Sequence, residues 1–366
     1  MLFRSSNVTF SSIVSIGEKV KQASINEGVE YLALNRGVND VVTIDLKKAI
    51  NNINYNTKQY QTYAPNEGVV ELRKNIINEY FPLQTLNKYE NITIMPGGMP
   101  GLDLIIQTLD VDVIYFPKFY WGSYSKMATI RSKSYKFYED LSEINGNENC
   151  CVFICDPNNP TGVKLDDQKL YNDIINLSNS GATIVFDSPY RKMFTFESDF
   201  KMFNALSRID NVIICESFSK HLGVSGSRLE FIWCNNKKFN AELAKRTLYE
   251  FNGVCTPSQL LVNELLTTSK AEVNEFRIVT RLNIALNTQY LVENDLLATE
   301  IYKGYGGKPK GMFAIVKFTE DELFKHKIGA VGLDKFTYDK DKYSKFSRVC
   351  LSVPNNKFIK YFKPLC

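Results

Sequence analysis

The chain has 366 residues, of which 44% are hydrophobic and 23% charged, and a formal net charge of +4. That composition is ordinary for a soluble globular protein, and the length suffices for one large domain and a smaller one. No apolar run reaches membrane length, no basic leader with a long apolar segment opens the chain, and the charge balance is nearly even. A cytoplasmic protein with neither a membrane nor a nucleic-acid partner is therefore expected.

Eight cysteines form no C-x-x-C pair, and the chain holds only two histidines. A zinc site is not expected, and most of the thiols read as buried and reduced. Ile13, Val14, Ile16 and Val20 give a helical apolar stripe, followed by a strand-like 31–34 and the turn 35–40. Residues 63–68, Tyr-Ala-Pro-Asn-Glu-Gly, lead into a helix with Leu72, Ile76 and Tyr80 on one face. A strand at 91–95 then runs into Pro96-Gly-Gly-Met-Pro-Gly101 and a helix carrying Leu102, Ile105, Ile106 and Leu109. Such a turn presents backbone N–H groups at the positive end of a helix dipole, a site suited to phosphate. Its spacing is not G-x-G-x-x-G and no acidic residue closes a dinucleotide unit, which rejects a Rossmann reading.

A strand at 112–116 ends at Pro117, and Phe119, Tyr120 and Trp121 follow. Three adjacent aromatics in a loop require stacking or burial. The strand 151–155 leads into Asp156-Pro-Asn-Asn-Pro-Thr-Gly162, then a helix from about Asp166 to Gly181. Asp187 closes the next strand, 183–187, where a buried carboxylate is costly unless paired. Strands at 212–215 and 229–234 bracket the polar, Gly-interrupted stretch that holds Lys220. Ser217 and Ser219 flank that lysine and Arg228 follows it by eight residues. Hydroxyls and a guanidinium near one amine suit a phosphate-bearing electrophile, with which the amine can form a Schiff base. Helices near 239–250, 258–269 and 271–297 come next, then strands at 312–318 and 346–352. The last strand carries Arg348, an arginine in an apolar run that needs an anion.

Taken in register from about residue 12 to 352, these motifs resemble the class I/II aminotransferases, the fold-type-I pyridoxal-phosphate-dependent enzymes. The resemblance implies an α/β fold. Its large domain, 46–275, has a mostly parallel seven-stranded sheet flanked by helices, and a smaller α+β domain comes from both chain ends, 1–45 and 276–366. Lys220 would carry the Schiff base to pyridoxal 5'-phosphate, Asp187 would keep the ring nitrogen protonated, and Asn159 and Tyr190 would touch the phenolic oxygen. The Asn159–Pro160 bond is expected to be cis. Backbone donors of Gly98 and Met99, with Ser217, Ser219, Arg228 and Tyr63 of the partner subunit, would hold the phosphate. Phe119 would stack on the ring, with Trp121 as the alternative. Gly37, Asn159 and Arg348 would receive the substrate, Arg348 forking onto its α-carboxylate.

The chain departs from the family pattern at Pro96 and Pro100, which leave the phosphate turn its backbone donors but no hydroxyl. The implied assembly is a homodimer with shared active sites. The implied reaction moves an amino group from an amino acid to a 2-keto acid. Another pyridoxal-phosphate reaction (C–S lyase, decarboxylase or biosynthetic cyclase) stays open because the same residues serve it. A non-catalytic binding or regulatory protein is the third reading. No arginine lies in 255–259, where dicarboxylate-specific members draw a second one from the partner, which disfavours aspartate as donor.

Overall fold

The computed structural model describes residues 1, 5–83, 88–194 and 199–366. In chain order its strands are β1 (Leu32–Ala33), β2 (Ile92–Met95), β3 (Val113–Pro117), β4 (Tyr135–Tyr138), β5 (Cys150–Cys155) and β6 (Thr183–Asp187). Then come β7 (Val212–Ser217), β8 (Glu230–Cys234), β9 (Phe313–Val316), β10 (Ile328–Gly329), β11 (Val331–Gly332) and β12 (Ser347–Cys350). Seven of them form one sheet in the order β2-β8-β7-β6-β5-β3-β4. All pairings in it are parallel except those of β8, which runs antiparallel to both β2 and β7.

The central strands are apolar up to their carboxyl ends because both faces of the sheet are covered. Every residue of β5 and β7 is buried. On one face Phe153, Val185, Ile213 and Ile232 pack with Leu102 and Ile105 of the Gly98–Thr108 helix and Tyr124 of the Ser123–Ile130 helix. On the other, Val152, Ile154, Ile184 and Ile214 meet Leu72 and Ile76 of the Val70–Tyr80 helix and Leu170 and Ile174 of the Asp167–Asn179 helix. Asp166 starts the last of these by accepting the Lys169 amide at 2.8 Å, an ordinary N-cap.

A separate core joins the two chain ends. Ile16 and Val20 of the Ser12–Glu27 helix, with Leu32 and Leu34, pack against Ile315, Val331, Val349 and Phe358. Here β11-β12-β9 form an antiparallel sheet, and β1 pairs parallel with β10. The long helix is Lys270–Glu293, four residues shorter than the expected 271–297 at its C-terminal end. Asp295 takes a positive φ of 51° and Leu297 already pairs with Val316 of β9. The Asn159–Pro160 bond is cis as expected, and so is Asp156–Pro157.

Ligands of open parallel sheets bind beyond the carboxyl ends of the strands. Asp187 and Ser217 are the last residues of β6 and β7, and Met95 is the last of β2. The reversed direction of β8 brings its first residue, Glu230, to the same edge, opposite Ser217 and Met95.

Candidate active site

A cavity of about 300 Å³ opens at that edge, and Lys220 projects into it. The lysine sits on the short Phe218–His221 helix, whose N-cap Ser217 accepts the Ser219 amide at 3.3 Å. Behind it, His221 is fully buried against the Tyr80 hydroxyl, and Arg277 donates to its carbonyl at 3.0 Å. The Lys220 ammonium donates to the carbonyl of Gly37. Gly37 can approach because it has no Cβ; one would lie 2.5 Å from the Phe313 ring. Burial lowers the pKa of Lys220 to about 8, with Arg228 and Arg348 pushing the same way and Cys350 opposing.

Asp187 is buried and accepts a hydrogen bond from the Tyr124 hydroxyl. Burial raises its pKa to about 7, although that hydrogen bond pulls the other way. Among the described residues no cation pairs with it in an ion pair. Asn159 donates its amide to the Tyr190 hydroxyl at 3.2 Å and accepts from Arg348 at 2.9 Å. Arg348, 1% exposed, lies between the rings of Phe313 and Phe336, 4.4 and 4.6 Å from their centroids, and also donates to the Asn35 carbonyl. Its Nε has no hydrogen-bond partner and no carboxylate pairs with it among the described residues. Burial lowers its pKa to about 10, so the guanidinium stays charged and uncompensated.

The far end of the cavity is the start of the Gly98–Thr108 helix. Gly97 has a φ of 103°, a backbone that favours glycine, and a Cβ there would meet the Arg228 guanidinium at 2.5 Å. Among the described residues no side chain caps this helix. Pro100 has no N–H and the Gly101 amide is taken by Gly97 at 3.2 Å, which leaves Gly98 and Met99 as the backbone donors. Arg228, Ser217 and Ser219 line the same end. So does Glu230, which is 1% exposed and has one carboxyl oxygen without a partner.

The structure thus brings Gly37, Gly98, Met99, Asn159, Asp187, Tyr190, Ser217, Ser219, Lys220, Arg228 and Arg348 to one cavity. Two expected residues lie outside it. Phe119 pairs its backbone with Thr337 and sets its ring edge-on to Tyr343, 4.9 Å between centroids, beside a neighbouring cleft. That pairing turns Phe119 away, and Trp121, edge-on to Tyr124 at 5.6 Å, is the aromatic residue of that loop that lines the cavity. Tyr63 is 84% exposed on the surface of this subunit. All eight cysteines are free; six are buried, and Cys255 and Cys366 are exposed. No cluster able to hold a metal ion exists among the described residues.

Sequence reasoning missed Tyr124 and Glu230. For Tyr124 the available signal was its position on the Ser123–Ile130 helix, three residues after Trp121. For Glu230 it was an acid between Leu229 and Phe231 inside an apolar strand.

The donor set fits pyridoxal phosphate. Two backbone N–H groups, two hydroxyls and a guanidinium at a helix N-terminus suit a phosphate. An unpaired buried carboxyl suits a protonated ring nitrogen, and a buried amine of lowered pKa suits an aldehyde. Glu230 is the one group in this set that does not suit an anion.

The family model for aminotransferase class I and II matches residues 29–359. The histidinol-phosphate aminotransferase of Buchnera aphidicola subsp. Cinara cedri is 26% identical over 294 residues, covering 76% of this chain and 78% of that one. Histidinol-phosphate aminotransferase 1 of Haemophilus influenzae is 30% identical over 158 residues, 40% of this chain and 44% of that one. Among solved structures, Thermus thermophilus aspartate aminotransferase with maleate superposes with a TM-score of 0.85 at 18% identity, covering 100% of this chain and 99% of that one. An aminotransferase from Mycobacterium tuberculosis gives 0.84 at 15% identity, covering 100% and 98%. No described helix is long and apolar enough to cross a membrane.

Proposed function

The chain belongs to the class I and II aminotransferases, and from that premise we propose how its own residues carry the reaction. It is a pyridoxal-phosphate-dependent aminotransferase, and an amino acid and a 2-keto acid suit it as substrates. The observation that carries the residue assignment is a single cavity joining three groups: the amine of Lys220 and, among the described residues, buried Asp187 without a paired cation and buried Arg348 without a paired anion.

When bound, pyridoxal phosphate supplies an electron sink for the pair left at the substrate's Cα. Asp187 holds the ring nitrogen in its protonated form, and Tyr124 orients that carboxylate. Asn159 and Tyr190, already hydrogen-bonded to each other, receive the phenolic oxygen. Trp121 covers the ring. Arg348 binds the substrate carboxylate, its charge otherwise uncompensated, while Asn159 fixes the angle of the guanidinium. Lys220, neutral in a substantial fraction near pH 8, takes the proton from Cα at Nζ, a general-base role worth about 10²–10⁴-fold. The Gly37 carbonyl, which accepts from Nζ, gives that atom a second position away from Cα when it is not bonded to the cofactor.

The assignment extends to a homodimer in which Tyr63 of the partner subunit completes the phosphate site. It also includes a cytoplasmic location and a division into 46–275 and the paired ends 1–45 and 276–366. The 84% exposure of Tyr63 on its own subunit supports the dimer. A donor screen tests the reaction. Loaded protein is mixed with single amino acids, and with L-histidinol phosphate because curated relatives carry that name. A half-reaction should release the donor's keto product, a keto acid from an amino acid or a keto phosphate from L-histidinol phosphate, in an amount equal to bound cofactor and retain the amino group until a keto acceptor arrives. Continuous release of ammonia or carbon dioxide would instead identify a lyase or a decarboxylase.

A further inference from the structure

Glu230 is the group that the reaction above does not use. It stands at the first position of β8, opposite Ser217 and Met95, with its side chain at the start of the Gly98–Thr108 helix. A Cβ on Gly98 would lie 2.6 Å from one carboxyl oxygen and a Cβ on Gly101 would lie 3.0 Å from the other. Two glycines of that turn therefore make room for this carboxyl. It is not the cap of the helix: no side chain bonds the first-turn amides, and one of its oxygens has no partner.

The groups that face it can be named element by element. Asp187 at the end of β6 makes its ionised form less favourable and Arg228 makes it more favourable, while Glu230 in turn raises the Cys215 thiol on β7. Lys220 and Ser219 line the same cavity from the short helix. The first turn of the Gly98–Thr108 helix offers Gly98, Met99, Pro100 and Gly101, none of them titratable. An ionised Glu230 and a phosphate would thus compete for one donor set, namely Arg228 and the amides of Gly98 and Met99. A neutral Glu230 would instead donate its O–H to the phosphate. The turn has no side-chain hydroxyl at Gly97, Gly98 or Met99, and a carboxylic acid at this place supplies a donor.

We infer that Glu230 is a phosphate-binding residue of this site that acts as a neutral acid, so that docking of the phosphate is coupled to a proton on Glu230. The inference rests on the assignment of this cavity to pyridoxal phosphate. Ionisation of Glu230 then expels the phosphate, and rising pH weakens phosphate-bearing ligands selectively. Burial raises the pKa of this carboxyl well above the usual range.

The test uses cofactor-free protein titrated with pyridoxamine 5'-phosphate and with pyridoxamine, neither of which has an aldehyde to react with Lys220. The readout is the ratio of the two dissociation constants between about pH 7 and about pH 9.5, a range in which the free phosphate (second pKa about 6) is already a dianion. Effects at Asp187 and the ring nitrogen enter both ligands and cancel in the ratio. Wild-type protein should lose about tenfold or more of its preference for the phosphate form across this range. Glu230→Gln, which keeps an N–H donor and cannot ionise, should show a distinctly smaller decline, the part that remains being the Lys220 charge (pKa about 8) that titrates in both proteins. An unchanging ratio in wild type, or the same decline in Glu230→Gln, overturns the inference.

Should the variant fail to fold, calorimetry of wild type in two buffers of different ionisation enthalpy decides. Near the midpoint of the decline, pyridoxamine 5'-phosphate must take up more protons than pyridoxamine does, and equal uptake refutes the coupling. If wild type binds neither ligand, the cofactor assignment of the cavity fails and this inference fails with it. Binding of both ligands with equal pH dependence removes only the role of Glu230.

Discussion

Replacing Asp187 by asparagine removes a charge that the fold itself disfavours, so the cofactor-free variant should be more stable than wild type at alkaline pH. Burial holds this carboxyl at about 7 in the folded protein, against about 3.9 in an unfolded chain. Between those two values the folded state keeps a proton that the unfolded state has released. The unfolding free energy therefore falls as pH rises through this window, and this group adds no further slope above it. With about 1.4 kcal/mol per unit, the loss is about 4 kcal/mol by about pH 8, of which about 3 kcal/mol accrues between about pH 5 and about pH 8.

The amide introduced by Asp187→Asn cannot titrate, and its oxygen can still accept from the Tyr124 hydroxyl. Denaturant unfolding of cofactor-free wild type and Asp187→Asn at the two pH values measures the difference. Asp156, also raised by burial, is common to both proteins and drops out of the comparison; Glu230, which Asp187 pushes further up, is relieved in the variant and changes the difference in the same direction. Equal pH slopes in the two proteins would refute the reasoning. In the loaded enzyme the same variant should lose turnover by orders of magnitude, since an amide cannot hold the ring nitrogen protonated.

Three further outcomes are expected. Arg348→Lys should lower kcat/KM for amino acid and keto acid alike by about 10²-fold, because an ammonium cannot fork onto a carboxylate; steady-state kinetics with an unchanged KM for both would argue against the carboxylate site. Tyr124→Phe removes a hydrogen bond that favours the ionised form of Asp187. It should cut kcat about tenfold, the equivalent of a hydrogen bond of about 1.4 kcal/mol, and shift the acid limb of the pH–rate profile upward; an unshifted limb would make the contact structural only. Lys220→Ala and Tyr63→Ala, each inactive alone, should regain up to about half of wild-type activity per mixed dimer after demonstrated subunit exchange if sites act independently. No recovery would place Tyr63 in the service of its own subunit.

Much of the fold was legible because its apolar runs are short, buried on both faces and separated by Gly- and Pro-rich turns. The stretch 151–155 reads as a buried strand from its residues alone, and the structure begins it one residue earlier, at Cys150. Lys220, Asp187 and Asn159 were legible for a related reason, since each polar residue stands at or just beyond the end of such a strand, where burial needs a purpose. What could not be read is side-chain direction in irregular segments. Phe119 and Trp121 sit two apart in one loop, and a backbone pairing with Thr337, from much later in the chain, decides which of them faces the cavity. Tyr124 and Glu230 were hidden in regular elements, where a tyrosine or an acid has many ordinary explanations. Only the sheet order, which sets β8 antiparallel beside β7, carries Glu230 to the phosphate end.

The central claim, that Lys220 is the amine that holds pyridoxal phosphate, has one direct test. Purified protein loaded with the cofactor is reduced with borohydride, digested and mapped by mass spectrometry. The account predicts a yellow protein that bleaches on reduction, with a single pyridoxyl group on Lys220 and none after Lys220→Ala. A stable adduct on another lysine, or none at all in protein that binds the cofactor, would contradict it.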